Sequence, residues 1–318
     1  MPRSPRHGSL QFWPRKRARK FLPSVNWKKI SSHSQAGKIL KGFICYKAGM
    51  TSLTVVDSTP NSMSKGKKIV IPATILECPP VKIISVRFYK NGIVSKEVLN
   101  ENVDKEMKRN VKPSKAKHKL DGINASEFDD VKLIVYSVVK KTGIKKAPDI
   151  VEVGLSGSIE EKFNFAKENL NKEINATDVL QKGQLVDFRG LTKGKGLSGP
   201  VKRFGITLKS HKSEKGQRNV GSIGPWHPRR STFRTAHAGQ LGMFTRVLYN
   251  NKVISVGKPK PEEKRFIGIK NYGNIATEYL IVHGSVQGPA KRQLVVTNSL
   301  RETKRQKKKM YDLVEATI

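Results

Sequence analysis

A glycine-rich segment is the first candidate for chemistry. Residues 194–199 read G-K-G-L-S-G after a strand-like run, and Glu214 follows 20 residues after the first glycine. In a dinucleotide-binding fold this pattern opens a helix whose N-terminus holds a pyrophosphate. Pro200 and K-R-F-G come next, so we predict no helix and no nucleotide cofactor. We interpret the segment as a flexible loop in which Lys193 and Lys195 contact a nucleic-acid backbone, or as a plain exposed turn.

Other groups that could support catalysis or bind a metal are scattered along the chain. None of the seven histidines has the spacing of a zinc protease, and Cys45 and Cys78 are too few and too far apart for a zinc ribbon. Two-metal nucleases need several carboxylates beside their substrate, but the basic stretch here contains only one acid, Glu214. No G-x-S-x-G motif is present. We predict a chain that is not an enzyme, with no cofactor and no metal.

The segment around Trp226 combines cations with an aromatic side chain. Trp226 and His227 lie between Pro225 and Pro228, which stiffen the turn. An indole at the tip of a basic hairpin can stack on an unpaired base or wedge against RNA helices. The alternative is that Trp226 is a core residue beneath the loop. Duplex DNA readers present a helix or a β-ribbon, and neither is evident here, so the pattern favours RNA.

The charge distribution agrees with a polyanionic partner. The 318 residues include 62 Lys and Arg against 25 Asp and Glu, a net charge of +37. Residues 1–56 contain 12 basic residues and no acid, and residues 188–261 contain 16 and a single acid, Glu214. Phosphates would neutralise both stretches and release counterions. No apolar run is long enough to span a bilayer, and the N-terminus lacks an apolar signal core. The two cysteines fit a reducing cytosol.

Short β-rich runs separated by Gly, Pro, Asn and Asp, with a mixed stretch over 100–180, predict a mainly β chain with an α/β insertion. We predict a basic extension over 1–38 that cannot fold without a partner. A discontinuous β domain covers 39–99 and 181–318, and an inserted α/β domain with its own small core covers 100–180. A basic loop over 190–250, containing Trp226, interrupts the β domain.

Two local patterns add detail. Ser158 and Glu161 form a capping box that predicts a helix ending near Asn171. The late run K-R-Q-K-K-K is either a phosphate contact or a solvated end.

Six motifs together resemble one known family. They are R-H-G-S-L-Q-F-W-P-R-K-R-A at 6–18, Y-K-A-G-M-T at 46–51, L-T-K-G-K-G-L-S-G-P-V-K-R-F-G at 191–205, S-I-G-P-W-H-P-R-R at 222–230, A-G-Q-L-G-M-F-T-R at 238–246 and G-P-A-K-R at 288–292. In this order they resemble the universal large-subunit ribosomal protein family L-three. The N-terminal block and the large insertion are similar to the archaeal and eukaryotic branch, and the short tail favours an archaeal-type member.

The resemblance implies a fold, a location and partners. It implies a translation-protein-type closed β-barrel with long basic non-globular extensions, placed in the cytoplasm within the large ribosomal subunit. The protein would bind ribosomal RNA, support subunit assembly and reach toward the peptidyl transferase centre with the loop around Trp226. Neighbours would be ribosomal proteins of the L-fourteen and L-twenty-four families, with no membrane and no small-molecule substrate. Eukaryotic relatives place a sometimes methylated histidine where this chain has Glu214, so that modification is not carried over.

The basic segments and the motifs together define a predicted RNA-binding set. Its members are Arg6, His7, Trp13, Arg15, Lys16, Arg17, Arg19, Lys20, Lys193, Lys195, Lys202, Arg203, Lys212, Lys215, Arg218, Trp226, His227, Arg229, Arg230, Arg234, Arg246, Lys291 and Arg292. Two alternatives stay open at this point. One is an RNA-acting enzyme, either a modification enzyme or a nuclease, that uses the basic loop for substrate binding. The other is a DNA-compacting protein.

Overall fold

The computed structural model describes residues 8–31, 39–112, 120, 122–227, 229–260 and 264–317. Within these ranges the strands are β1 (Gly42–Asp57), β2 (Lys68–Cys78), β3 (Val81–Lys90), β4 (Ile93–Leu99), β5 (Asp130–Ser137), β6 (Ile150–Gly154), β7 (Leu185–Leu191), β8 (Gly194–Ser198), β9 (Gly239–Gly242), β10 (Thr245–Gly257), β11 (Glu278–His283), β12 (Gln293–Asn298) and β13 (Tyr311–Thr317). The predicted mainly β fold is confirmed.

The helices are short. They are α1 (Trp27–Ser31), α2 (Ile159–Asn169), α3 (Ala176–Val179), α4 (Pro200–Phe204) and α5 (Lys304–Lys308), with 3-10 turns at Lys105–Arg109, Ala125–Glu127, Val139–Thr142 and Lys264–Phe266. The predicted capping box is confirmed, because the Ser158 hydroxyl accepts from the Glu161 amide while the Glu161 carboxylate accepts from the Ser158 amide. No helix in the described ranges is long and apolar enough to cross a bilayer.

The first sheet has a circular pattern of strand pairing. Its order is β12-β7-β10-β11-β2-β1-β13, and β12 also pairs with β1. The long strand β1 makes this possible, because its first half pairs with β12 from Gly42 to Tyr46 and its second half pairs with β13 from Ser52 to Asp57. Six strands thus have the connectivity of a closed barrel, with β13 added to the same edge of β1.

The strands of the second sheet do not follow the domain boundary predicted at residue 99. Its order is β4-β3-β5-β6, and β3 pairs with β5 from Val81 to Tyr89. Strand β3 therefore pairs with β5 of the predicted insertion, and β4 pairs with β3, so both strands belong to the second sheet. Pro79 and Pro80 explain the change, because they follow β2 directly and have no amide to extend its ladder. The largest hydrophobic cluster contains side chains of both sheets, while a smaller cluster of Ile84, Met107 and Tyr136 lies in the second sheet and the predicted insertion.

The chain divides into two compact units. We call residues 1–21 and 191–246 the basic unit, and residues 22–190 and 247–318 the core unit. The core unit includes Trp27 and Ile30, which are only 4% and 2% exposed. A Cβ at Gly42 or Gly154 would lie 2.5 and 2.7 Å from the Trp27 side chain, so both glycines make room for it. The predicted extension over 1–38 is therefore too long, because α1 is part of the core.

Candidate nucleic-acid interface

The basic unit has almost no acidic residues. It contains 19 Lys and Arg and one acid, Glu214, whose side chain is exposed. The core unit is different, because its acids pair with its cations. Arg87, for example, contacts Glu97 at 2.9 Å and Glu152 at 3.3 Å. One carboxylate cannot neutralise nineteen cations, so the basic unit presents a strong positive potential to an anionic partner.

The glycine motif forms regular structure, contrary to the prediction of a flexible loop. Strand β8 pairs with β9, with Gly194 opposite Gly242 and Leu197 opposite Gln240. The helix α4 follows immediately and begins at Pro200, where the sequence predicted no helix. The reason is that the fixed φ of proline suits the first position of a helix, where no amide partner is needed. Gly205, at φ +68°, ends this single turn.

The N-terminal segment packs on the residues around α4. The Trp13 ring lies 6.1 Å from the Phe204 ring and 5.8 Å from the Phe233 ring. The Arg15 guanidinium lies 4.2 Å from the Phe204 centroid and donates a hydrogen bond to the Arg203 carbonyl at 2.8 Å. The described residues of this segment thus pack on side chains of the basic unit itself. The need for a partner to order the segment stays a prediction.

Two predicted RNA-binding arginines make contacts inside the basic unit. Arg203 donates to the Gln240 carbonyl at 3.1 Å and to the His237 carbonyl at 2.9 Å, and burial lowers its pKa. The Arg246 guanidinium lies 4.7 Å from the Phe12 centroid. Arginine is suited to both tasks, because its planar group stacks on rings and carries several donors. These side chains shape the unit without using carboxylates.

Trp226 lies at the surface. Its side chain is 76% exposed, so the alternative of a core tryptophan is wrong and the exposed position predicted from the flanking prolines is confirmed. The Arg229 guanidinium lies 5.4 Å from the indole centroid. A concave surface of about 490 Å³ adjoins them and is lined by Ile223, Gly224, Pro225, Trp226, Arg229, Arg230 and Ser231. An apolar ring beside two guanidinium groups can accept a base and its phosphate.

The predicted RNA-binding residues differ in exposure. The exposed ones are Lys16, Arg17, Arg19, Lys20, Lys193, Lys195, Lys202, Lys212, Lys215, Arg218, Trp226, His227, Arg229, Arg230, Arg234 and Lys291. Trp13, Arg15, Arg203 and Arg246 are half-buried. Arg6 and His7 lie outside the described residues. All of these exposed residues except Lys291 belong to the basic unit, and they are its candidate phosphate-binding groups.

The G-P-A-K-R motif lies in the core unit, and one of its two predicted RNA-binding residues is buried. Lys291 is exposed with φ +66°, and its amide donates to the Lys47 carbonyl at 2.7 Å. Arg292 is only 9% exposed, and burial lowers its pKa, so a direct phosphate contact by Arg292 is not supported. Sequence reasoning missed Lys47, whose buried ammonium donates to the carbonyls of Val286 and Gly288. The sequence did contain a sign of this contact, because Lys47 is a charged residue in a mostly apolar strand and therefore needs polar partners.

The donor set at this interface suits anion binding. Among the described residues, no group of three or more His, Cys, Asp or Glu side chains could hold a metal ion. The basic unit offers ammonium and guanidinium donors, exposed backbone at glycines and one exposed indole. These groups neutralise phosphate and stack on bases.

Comparison with known proteins places this arrangement in a family. Residues 1–316 match the sequence model of the family described as ribosomal protein L3. The large ribosomal subunit protein uL3 of Methanocaldococcus jannaschii is 39% identical over 311 residues, covering 93% of this chain and 91% of that protein. The proteins of the same name from Archaeoglobus fulgidus and Methanococcus maripaludis are 36% and 37% identical, covering 94% and 93% of this chain and 93% and 91% of the relatives. The chain belongs to the ribosomal protein L3 family.

Proposed function

We propose that the basic unit is the main surface through which this chain binds ribosomal RNA. As a member of its family, the chain is a structural component of the large ribosomal subunit in the cytoplasm and not an enzyme. The observation that carries the proposal is the concentration of 19 cations against the single acid Glu214 in one compact unit. Ribosomal RNA supplies the phosphates that such a unit needs.

The exposed indole of Trp226 is the tip of this surface. We infer that it stacks on an unpaired base, with Arg229 and Arg230 at the adjoining phosphates. The loop around Trp226 then reaches toward the peptidyl transferase centre, and the basic unit supports assembly of the subunit. Neighbouring ribosomal proteins of the L-fourteen and L-twenty-four families are the proposed protein contacts. The exposure of Trp226 supports the stacking role, and the family resemblance supports the position of the loop, the role in assembly and the protein neighbours.

Salt-dependent RNA binding tests the role of the basic unit. The variant Lys212→Gln/Lys215→Gln/Arg218→Gln removes three exposed cations from it. The matched variant Lys65→Gln/Lys90→Gln/Lys96→Gln removes three exposed cations from the core unit. Each lost phosphate contact should reduce the slope of log K against log salt by about 0.7–0.9. We expect a slope reduction of about 2–3 for the first variant and little change for the second.

Two outcomes would contradict the proposal. Equal slopes for both triple variants would show that net charge, and not the basic unit, determines binding. Equal affinity for folded large-subunit RNA and for duplex DNA at the same salt concentration would favour the DNA-compacting alternative. Circular dichroism of both variants checks that the β structure is intact before binding is compared.

A further inference from the structure

Two cysteine thiols lie against each other in the first sheet. Tyr46 of β1 is opposite Glu77 of β2 in an antiparallel pair, so continuing the same register by one position brings Cys45 opposite Cys78. Both cysteines are free and fully buried, and burial together with the neighbouring Cys45 raises the pKa of the Cys78 thiol. Opposite residues of antiparallel strands have Cα atoms about 4.5–5.5 Å apart. A disulfide spans about 4.4–6.8 Å between Cα atoms, so the backbone already has the separation that a bond requires.

Both thiols are closed off from solvent, and Pro79 and Pro80, which follow Cys78, are buried as well. Cys78 is the last residue of β2, and Pro79 and Pro80 follow it. Because proline has no amide hydrogen, the ladder cannot continue past Cys78. The Val138 amide donates to the Pro80 carbonyl at 2.9 Å, so this junction must open locally before either thiol meets a dissolved oxidant. Burial raises the pKa of the Cys78 thiol, so the closed protein keeps it protonated and unreactive, and reaction follows local opening.

We infer that Cys45 and Cys78 are a redox modification site that forms a disulfide between β1 and β2. The oxidant is a small disulfide of the glutathione class. One protein thiolate attacks the small disulfide, forms a mixed disulfide and releases one small thiolate. The second protein thiolate attacks the mixed disulfide at the protein sulfur, closes the cross-strand bond and releases the second small thiolate. The two protons lost by the protein thiols protonate the two small thiols, so the protein is oxidised by two electrons and the small disulfide is reduced.

The experiment uses the full chain, first reduced and then incubated with excess oxidised glutathione, with and without a urea concentration below the unfolding transition. Free thiols are then blocked with an alkylating agent, and the products are measured by intact mass and by non-reducing peptide mapping. We expect a mass loss of two hydrogen atoms, no added glutathione, and one cross-linked peptide pair that contains Cys45 and Cys78. The oxidised form should have a higher midpoint of thermal unfolding than the reduced form, because the link constrains the unfolded chain.

The variant Cys45→Ser is the matched control, because Cys78 then has no partner and should accumulate one glutathione adduct. Cys78→Ala serves as a second variant if the first does not fold. The inference is overturned if the wild-type chain accumulates stable adducts without a cross-link. It is also overturned if both thiols are alkylated in urea but no intramolecular disulfide forms under the same conditions.

Discussion

The Arg15 guanidinium lies 4.2 Å from the centroid of the Phe204 ring, 189 positions along the chain. Arg15 also donates a hydrogen bond to the carbonyl of Arg203, the residue before Phe204. A cation that stacks on a ring and donates to a carbonyl needs no carboxylate partner. This explains how the basic unit keeps a defined shape with a single acid. Its remaining exposed cations then stay available for phosphate.

The first prediction concerns this contact. Arg15→Ala removes the stack and the hydrogen bond, which together stabilise the N-terminal segment by about 1–3 kcal/mol. We expect the amide of Ala18, which donates to the Met243 carbonyl at 3.0 Å, to exchange its hydrogen about 5–150 times faster. Hydrogen exchange with mass spectrometry measures this rate. Arg17→Ala, at an exposed side chain nearby, is the control, and equal acceleration in both variants would show that the Arg15 contact does not hold the segment.

A second prediction separates two roles of glycine. Gly242 has φ +77°, and a Cβ there would lie 1.9 Å from the Lys193 carbonyl oxygen, so Gly242→Ala should open the β8–β9 pair at a cost above about 2 kcal/mol. Gly221 has open space around its Cβ position. Gly221→Ala should therefore leave hydrogen exchange of the free protein unchanged. If RNA approaches the backbone at Gly221, this variant should still weaken RNA binding, and unchanged affinity would exclude close approach there.

The third prediction is a pH dependence of the core unit. Burial, and secondarily the nearby charge of Lys309, hold the pKa of His283 below its ordinary 6.5. Below pH 6.5 the unfolded chain then binds a proton more readily than the folded chain. The free energy of unfolding should fall as the pH decreases from 6.5 toward the folded pKa, and His283 should contribute no pH dependence above that range. Denaturant unfolding at several pH values measures this effect.

The control for this measurement is a pair of histidine variants. His283→Gln should flatten the pH dependence relative to the wild-type chain, since it removes the titrating group. His211→Gln, at an exposed position in the basic unit, should leave the dependence unchanged. A wild-type slope that persists in His283→Gln would assign the pH dependence to other groups.

Local patterns could be predicted from the sequence. The capping box of α2 depends on Ser158 and Glu161, three positions apart, and it was found where it was predicted. The exposure of Trp226 followed from the adjacent prolines and arginines. By contrast, Pro200 led to the prediction that no helix follows the glycine motif, although α4 begins at this residue. Proline is compatible both with a loop and with the first position of a helix, so the residue alone does not distinguish the two.

Long-range partners could not be predicted. Arg203 was assigned to phosphate because a cation in a basic segment gives no sign of a carbonyl partner 34 or 37 positions away. The pairing of β13 with β1 joins residues more than 250 positions apart, and the late run K-R-Q-K-K-K alone does not indicate it. The boundary between the two sheets was missed for a related reason. The β-rich run V-K-I-I-S-V-R-F-Y at 81–89 predicts a strand, but it does not identify the neighbour of that strand.

The last prediction compares two tryptophans in opposite environments. Trp226 is 76% exposed in the basic unit, whereas Trp27 is 4% exposed in the core unit. Trp27→Ala should cost about 3–5 kcal/mol of fold stability, because it leaves a cavity in the hydrophobic core. Trp226→Ala should leave thermal unfolding of the free protein unchanged. In the subunit it should remove a stacking contact of about 1–3 kcal/mol, which is small beside the phosphate contacts.

The two variants therefore separate folding from function. We expect Trp226→Ala to enter the large subunit, to increase the chemical reactivity of RNA near the loop, and to alter transfer RNA accommodation or sensitivity to peptidyl-transferase inhibitors. Trp27→Ala should lower the melting temperature and reduce incorporation. Melting of the free proteins, paired with a subunit incorporation assay, distinguishes these effects. A large drop in melting temperature for Trp226→Ala would contradict its exposed position, and unchanged RNA reactivity would contradict the stacking role, because an indole that touches no base can be removed without freeing the RNA.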